Sequence, residues 1–201
     1  MEISKIKISN SGYVDCKSAF YSVADTLNNK EFGFKTGANI LIGDIDSSNF
    51  AISYFISMFD KVDKRCVFEP LTAMVNDAEM QLSELHKYSC YLDDSQYKLF
   101  SSLKTVKQLI SQGLKKSKML YSLNDICDIF QLSSDRIERP IKSTGNERYQ
   151  AMAAVGFSFG KQVFCFPWFS KTRYKIYKIR FEYILKVLGE HKKIAILPLG
   201  E

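Results

Sequence analysis

Long apolar runs are missing from this sequence. The most apolar window, Ala151 to Phe169, is interrupted by Lys161 and Gln162, so it falls short of the about 18 uninterrupted residues that suit a membrane-spanning helix. Paired-cysteine motifs are missing too. Cys16, Cys66, Cys90, Cys127 and Cys165 form an odd, widely spaced set with no C-x-x-C pair and only His86 and His191 as co-ligands. That pattern argues against a disulfide framework and a zinc site, and leaves the cysteines as small buried side chains. The opening residues, MEISKIKISN, lack the apolar core of a secretory signal. A reducing, cytoplasmic setting is the expectation. Internal repeats, low-complexity tracts and linkers are also absent, which predicts one domain over residues 1–201.

What is present is an ordinary globular composition with a generous aromatic supply. Apolar residues make up 46% and charged residues 25% of the 201, with 15 Phe and 11 Tyr, which excludes a disordered chain. The 28 basic and 22 acidic residues leave a net charge of +6. The lysines are dispersed rather than gathered in one run. Such an excess permits nucleic acid or an anionic membrane as partner and requires neither.

Short β-branched or aromatic segments predict strands at Ile3 to Ser9, Ala38 to Gly43, Arg65 to Glu69, Tyr88 to Leu92, Gln162 to Phe166 and Lys193 to Leu197. Those at 38, 162 and 193 are almost continuously apolar, as in a parallel sheet covered on both faces. Helical periodicity covers Phe50 to Phe59, Thr105 to Gly113 and Leu123 to Phe130. It returns from Tyr174 to Leu188, where Gly189 is placed to end the helix as its C′ residue. The chain reads as α/β, with a helical subdomain at about 95–145.

The segment GDIDSSNFA, Gly43 to Ala51, sits between an apolar strand and an apolar helix. That is the layout of a phosphate-binding loop, G-x-x-x-x-G-K-[ST]. Set from Gly43, the second glycine falls on Ser48, the lysine on Asn49 and the hydroxyl residue on Phe50. Asp44 and Asp46 would repel a triphosphate where a helix N-terminus otherwise attracts one. Asp46, Ser47 or Ser48 would cap the helix instead. Taken alone, the segment also reads as a plain strand–turn–helix junction.

Further landmarks follow in order. In CYLDDSQYKLFSSLKTV (Cys90 to Val106), Asp94 stands where a glutamine would. LNDICDIFQL (Leu123 to Leu132) precedes KSTGNERYQAMAA (Lys142 to Ala154), in which Ser143 and Gly145 are kept and Asn146 replaces a glutamine. QVFCFPWFS (Gln162 to Ser170) places Phe166 and Pro167 at a strand end where aspartate and glutamate are expected. KIAILPLGE ends with Gly200 at a histidine position. In this order the chain resembles the nucleotide-binding subunit of an ABC transporter over nearly its whole length.

The resemblance implies a P-loop NTPase-like core sheet flanked by helices, with a helical subdomain inserted. It also implies lost chemistry. Phe50 and Phe166 offer magnesium no oxygen, and Pro167 and Gly200 cannot polarise water. A pseudo-ATPase is therefore the expectation, with no catalytic residue, no metal and no ATP bound in cis. Phe166, Trp168 and Phe169 are expected to fill the vacated volume. Ser143 and Gly145 have two readings: a helix N-cap, or a signature-like segment that completes a partner's ATP site.

The function so implied is structural or regulatory, in an export or immunity transporter. Its partners would be a membrane permease, an intact ATPase subunit or both, in a homo- or heterodimer. The location would be peripheral, on the inner face of the membrane. One rival is a weakly active ATP-binding subunit. Another is a basic, non-enzymatic scaffold for nucleic acid, although no aromatic-interleaved basic motif supports it and no nucleic acid is expected. The cations from Lys171 to Lys193 are read as a solvated helix face.

Overall fold

A computed structural model describes residues 1–10, 14–15, 30–43, 48–58, 67–68, 71–93, 99–100 and 102–200. Its centre is a parallel sheet of β4 (Gly37–Ile42), β8 (Ser89–Tyr91), β9 (Val163–Cys165) and β10 (Ile194–Leu199), in the order β4-β10-β9-β8. β10 places Ala195 between Ala38 and Phe164, and Ile196 between Asn39 and Cys165. All six residues of β10 are buried.

The alternation along these strands feeds two separate cores. Phe164, Ala195, Leu197 and Leu199 face one apolar cluster, and Val163, Cys165, Ile194 and Ile196 face the other. Burial on both faces is why β9 and β10 read as unbroken apolar runs, but β4, at the sheet edge, departs from that expectation and leaves Ile40 and Ile42 exposed on one face.

On the second face lie α1 (Ser48–Met58) and α2 (Leu82–Tyr88), together with an antiparallel sheet. That sheet contains β1 (Lys5–Asn10), β3 (Glu31–Lys35), β6 (Leu71–Val75) and β7 (Ala78–Met80), in the order β3-β1-β6-β7. A small pair, β2 (Val14–Asp15) with β5 (Val67–Phe68), runs antiparallel. The sequence reading placed strands near β1 and β5 but none at β3, β6 or β7. β6 and β7 are joined through Asn76 and Asp77, whose φ values of 50° and 66° define the two-residue turn that suits a twisted hairpin.

The first face carries the helices. α3 (Val106–Ser117) and α4 (Leu123–Ile129) each start with a capping box. The Thr105 hydroxyl accepts from the Gln108 N–H while the Gln108 side chain accepts from the Thr105 N–H. Ser122 and Asp125 repeat the arrangement, which satisfies two otherwise orphaned donors at each start. α5 (Ser134–Ile137) and two 3-10 turns lead into α6 (Arg148–Ser158), which is buried from Tyr149 to Ser158. α7 (Lys171–Glu190) returns the chain to β10.

Gly189 is not the C′ residue of that last helix. α7 runs on to Glu190, and Lys192, at φ 54°, takes the left-handed position. The Lys192 N–H donates to the Gly189 carbonyl at 2.9 Å, and the Lys193 N–H to Leu188 at 2.8 Å, the two bonds of a Schellman ending. A Cβ at Gly189 would stand 3.5 Å from the Gly37 Cα of β4, an ordinary contact distance. Among the described residues no helix is long and apolar enough to cross a membrane.

α3 approaches α6 closely at Gly113, where a Cβ would stand 2.7 Å from Phe159 Cδ2 and 2.9 Å from the Ser158 carbonyl carbon. Overpacking against backbone costs about 1–3 kcal/mol, more than the roughly 1 kcal/mol of helix propensity that alanine adds. Gly113→Ala is expected to lower the urea midpoint with an unchanged slope. A midpoint at or above that of the parent would show that this contact is slack.

Candidate functional site

Ligands of open parallel sheets sit beyond the carboxyl ends of the strands. Here those ends are Gly43 after β4, Leu92 and Asp93 after β8, Phe166 to Trp168 after β9, and Gly200 after β10. The sheet thus gathers Gly43, Phe166, Pro167 and Gly200 at one edge. Asp44, Asp46 and Asp94 lie outside the described residues. Ser48, Asn49 and Phe50 form the first turn of α1, described by its backbone alone.

Three contacts close this edge. The Gly43 N–H donates to the Leu199 carbonyl at 2.8 Å, and the Gly200 N–H to the Phe169 carbonyl at 2.8 Å. Trp168 turns back across the ends, and its indole Nε1 donates to the Gly43 carbonyl at 2.9 Å. Gly200 lies against the ring, where a Cβ would stand 2.7 Å from Cζ2. On the other face of the sheet the buried Ser53 hydroxyl of α1 donates to the Phe166 carbonyl at 2.7 Å.

Behind the edge an aromatic cluster forms. Phe166 and Phe169 are buried, with ring centroids 5.6 and 4.7 Å from Phe181, and Tyr149 lies 5.4 Å from Phe169. Arg173 sits over the Phe169 ring at 5.3 Å and donates to the Tyr149 hydroxyl at 3.3 Å. Cation–π contact lets a guanidinium border an apolar cluster. The role of Tyr149 had no signal in the sequence, because its partners come from α7 and the β9 end.

The edge is poor in charge. Among its described residues Asp93 alone carries a carboxylate. Burial, and after it Asp93, pushes the Tyr91 hydroxyl far above its ordinary range, so it stays neutral. Phe166, Pro167 and Trp168 supply no hard oxygen of the kind magnesium takes. Among the described residues no group of three His, Cys, Asp or Glu side chains gathers to hold a metal.

Ser143 and Gly145 lie elsewhere, in the helical half. Both are exposed, and no hydrogen bond among the described residues links them to the strand ends. Ser143 closes the first 3-10 turn, and its hydroxyl caps no helix. The acceptor in this turn is Glu147, whose carboxylate takes the Ser133 N–H at 3.1 Å and hydroxyl at 3.0 Å. Gly145 has φ +62°, with Arg136 Nη1 2.7 Å from where a Cβ would stand. Only glycine suits that conformation without strain.

The fold is that of ATP-binding cassettes from ABC transporters. A putative ABC transporter ATP-binding protein from Pyrococcus furiosus superposes with a TM-score of 0.64 at 13% identity, covering 98% of this chain and 92% of that one. The cbiO1 protein of Clostridium perfringens, part of the ABC transporter complex cbiONQ, gives 0.62 at 11% identity, covering 100% and 79%. A bacterial Atm1-family ABC exporter with ATP bound gives 0.58 at 10%, covering 100% of this chain and 35% of that one. No protein-family model and no curated protein sequence matches.

Trp168 is the sole tryptophan, so its emission reports this edge. Gly200→Ala is expected to push the indole off Gly43, shift emission to longer wavelength and cost about 1 kcal/mol for the lost hydrogen bond. Unchanged emission and stability would show that the ring does not seal the edge.

Cys90 and Cys165, both free and buried, flank the β9 end. Burial pushes the Cys90 thiol up to about 12 and raises Cys165 in the same direction. Both should resist thiol reagents at pH 8 until the chain unfolds. The folded chain keeps protons that the unfolded chain releases above about 9. These groups therefore make stability fall as pH rises from there toward 12, an outcome that denaturant titration across that range checks.

Proposed function

We infer that this chain is a catalytically inactive counterpart of an ABC ATP-binding subunit, serving as a structural or regulatory partner within a transporter complex. The observation that carries this reading is the Trp168 indole bonded to the Gly43 carbonyl, across the point where a phosphate-binding loop would begin. An indole over that carbonyl, packed against Gly200, would stand in the approach of a nucleotide phosphate in this reading. The apolar side chains of Phe166 and Pro167 at the neighbouring strand end favour the same reading, since neither holds a metal nor activates water.

Its partners in this reading are a membrane permease, an intact ATPase subunit or both. Two structural neighbours support such an assembly by what they are: one is part of a transporter complex and one is an exporter. Attachment to a permease would place the chain peripherally at the inner membrane face. Ser143 and Gly145 are exposed on either side of the buried Thr144, whose hydroxyl donates to the Ile141 carbonyl, and are open to completing a partner's nucleotide site.

Calorimetric titration of the intact chain with magnesium-ATP tests the reading. No binding is expected up to about 1 mM, a ceiling of roughly 4 kcal/mol of binding free energy. Micromolar affinity, or phosphate release above the buffer rate, would sink it in favour of a weakly active ATP-binding subunit.

A further inference from the structure

The first ten residues of α7 carry Lys171, Arg173, Lys175, Lys178 and Arg180, with no acid before Glu182. A helix N-terminus is the positive end of the macrodipole, so cations there oppose it and repel one another. Lys178 pairs with Glu182 at 3.7 Å and Lys186 with Glu190 at 3.8 Å. Among the described residues Lys171 and Lys175 have no carboxylate within ion-pair distance. The same stretch exposes Ile176 and Ile179 at 73% and 84%. Two isoleucines and unpaired lysines at an unfavourable helix end are a burden to an isolated domain.

A groove of about 400 Å³ runs beside them, between α7 and the helical half. Ile176, Ile179, Arg180 and Tyr183 line one wall, and Gln131 and Gln150 the other. Its walls are fixed from within: Arg180 donates to the Gln150 side-chain carbonyl, and the Tyr183 hydroxyl donates to the Ile129 carbonyl at 2.8 Å. Ile176 and Ile179, three residues apart, form a helical ridge at its lip.

We propose that this groove docks an acidic amphipathic helix of a partner protein. The partner's apolar stripe covers Ile176 and Ile179, and its carboxylates face Lys171, Lys175 and Lys178. Charge complementarity sets the sign of the partner, since carboxylates neutralise both the lysines and the positive helix end. The concave shape, with amide and phenol groups in its walls, suits a helix laid in a groove. A flat bilayer would leave those walls unfilled, and nucleic acid would leave the isoleucines uncovered. The proposal does not depend on whether nucleotide binds at the strand ends.

The test is fluorescence anisotropy with the intact chain and a labelled, amidated helical peptide of about 20 residues, leucines on one face and glutamates flanking them. Binding is expected to weaken with salt and to fall at least about tenfold in Ile176→Gln/Ile179→Gln and in Lys171→Glu/Lys175→Glu. The melting temperature should hold in the first variant and rise in the second, where acids now meet the helix N-terminus. A control peptide with glutamines for leucines should bind at least about tenfold more weakly. No binding of the leucine peptide, equal binding by either variant, or equal binding of the control peptide would overturn the proposal. So would preference for phosphatidylserine vesicles or single-stranded DNA, if the same substitutions abolished it.

Discussion

Strand β10 is the constraint on which the rest of the structure depends. It lies inside the parallel sheet, bonded to β4 on one side and β9 on the other, with every residue buried. A proline in such a strand is unusual, because it cannot donate to the ladder. Pro198 resolves this by position. Its carbonyl accepts from the Phe169 N–H at 3.1 Å, so its missing N–H faces the same side, beyond the last residue of β9. No ladder bond is lost there, and the chain from Phe166 to Phe169 is free to bend over the sheet end. The opposite side of β10 still holds β4, through the Leu199 carbonyl and the Gly43 N–H.

The bend joins the sheet edge to the helical half. Phe166 and Phe169 turn toward Phe181 of α7 and Tyr149 of α6, while Trp168 turns back over Gly43. One tetrapeptide therefore packs in two directions. Offset and edge-on ring contacts of this kind add about 0.5–1.5 kcal/mol each beyond burial. α6, which follows the Ser143 to Glu147 turn, is thereby tied to the strand ends through aromatic side chains and the Arg173–Tyr149 contact.

Much of the parallel core was legible in sequence, because strands covered on both faces must be apolar throughout, as Ile194 to Leu199 is. The helices at Thr105 and Ser122 were equally plain, since periodicity and capping chemistry agree there. The antiparallel sheet was harder. The EFGFK strand, Glu31–Lys35, keeps its alternation but is short, carries Gly33, a poor strand residue, and pairs with β1, which is distant in sequence. The β6–β7 hairpin carries a signal, Asn76-Asp77, a pair that tolerates the left-handed turn conformation both residues adopt. At the candidate site, the resemblance pointed to Gly43, Phe166, Pro167 and Gly200, and these lie at the carboxyl ends of three parallel strands. It could not show the indole bond to Gly43, because side-chain direction after a strand end depends on what Pro198 leaves open. Gly189 reads as a cap because it is a glycine near a helix end, whereas the left-handed position falls three residues on, at Lys192.

Why the strand ends tolerate such different side chains follows from what holds them. Ser53 bonds the carbonyl of Phe166, Trp168 the carbonyl of Gly43, and the Gly200 N–H the carbonyl of Phe169. Each accepting group is main chain, present whatever side chain stands at residues 43, 166 or 169. The apolar pattern of the strands fixes the sheet, the sheet fixes where the carbonyls lie, and the side chains at its edge are then constrained only by volume and charge. The same fold can therefore persist at low sequence identity while the chemistry at its edge changes. Aromatic and proline side chains at positions 166 to 169 turn that freedom toward burial, and they make the edge of the sheet continuous with the core behind it.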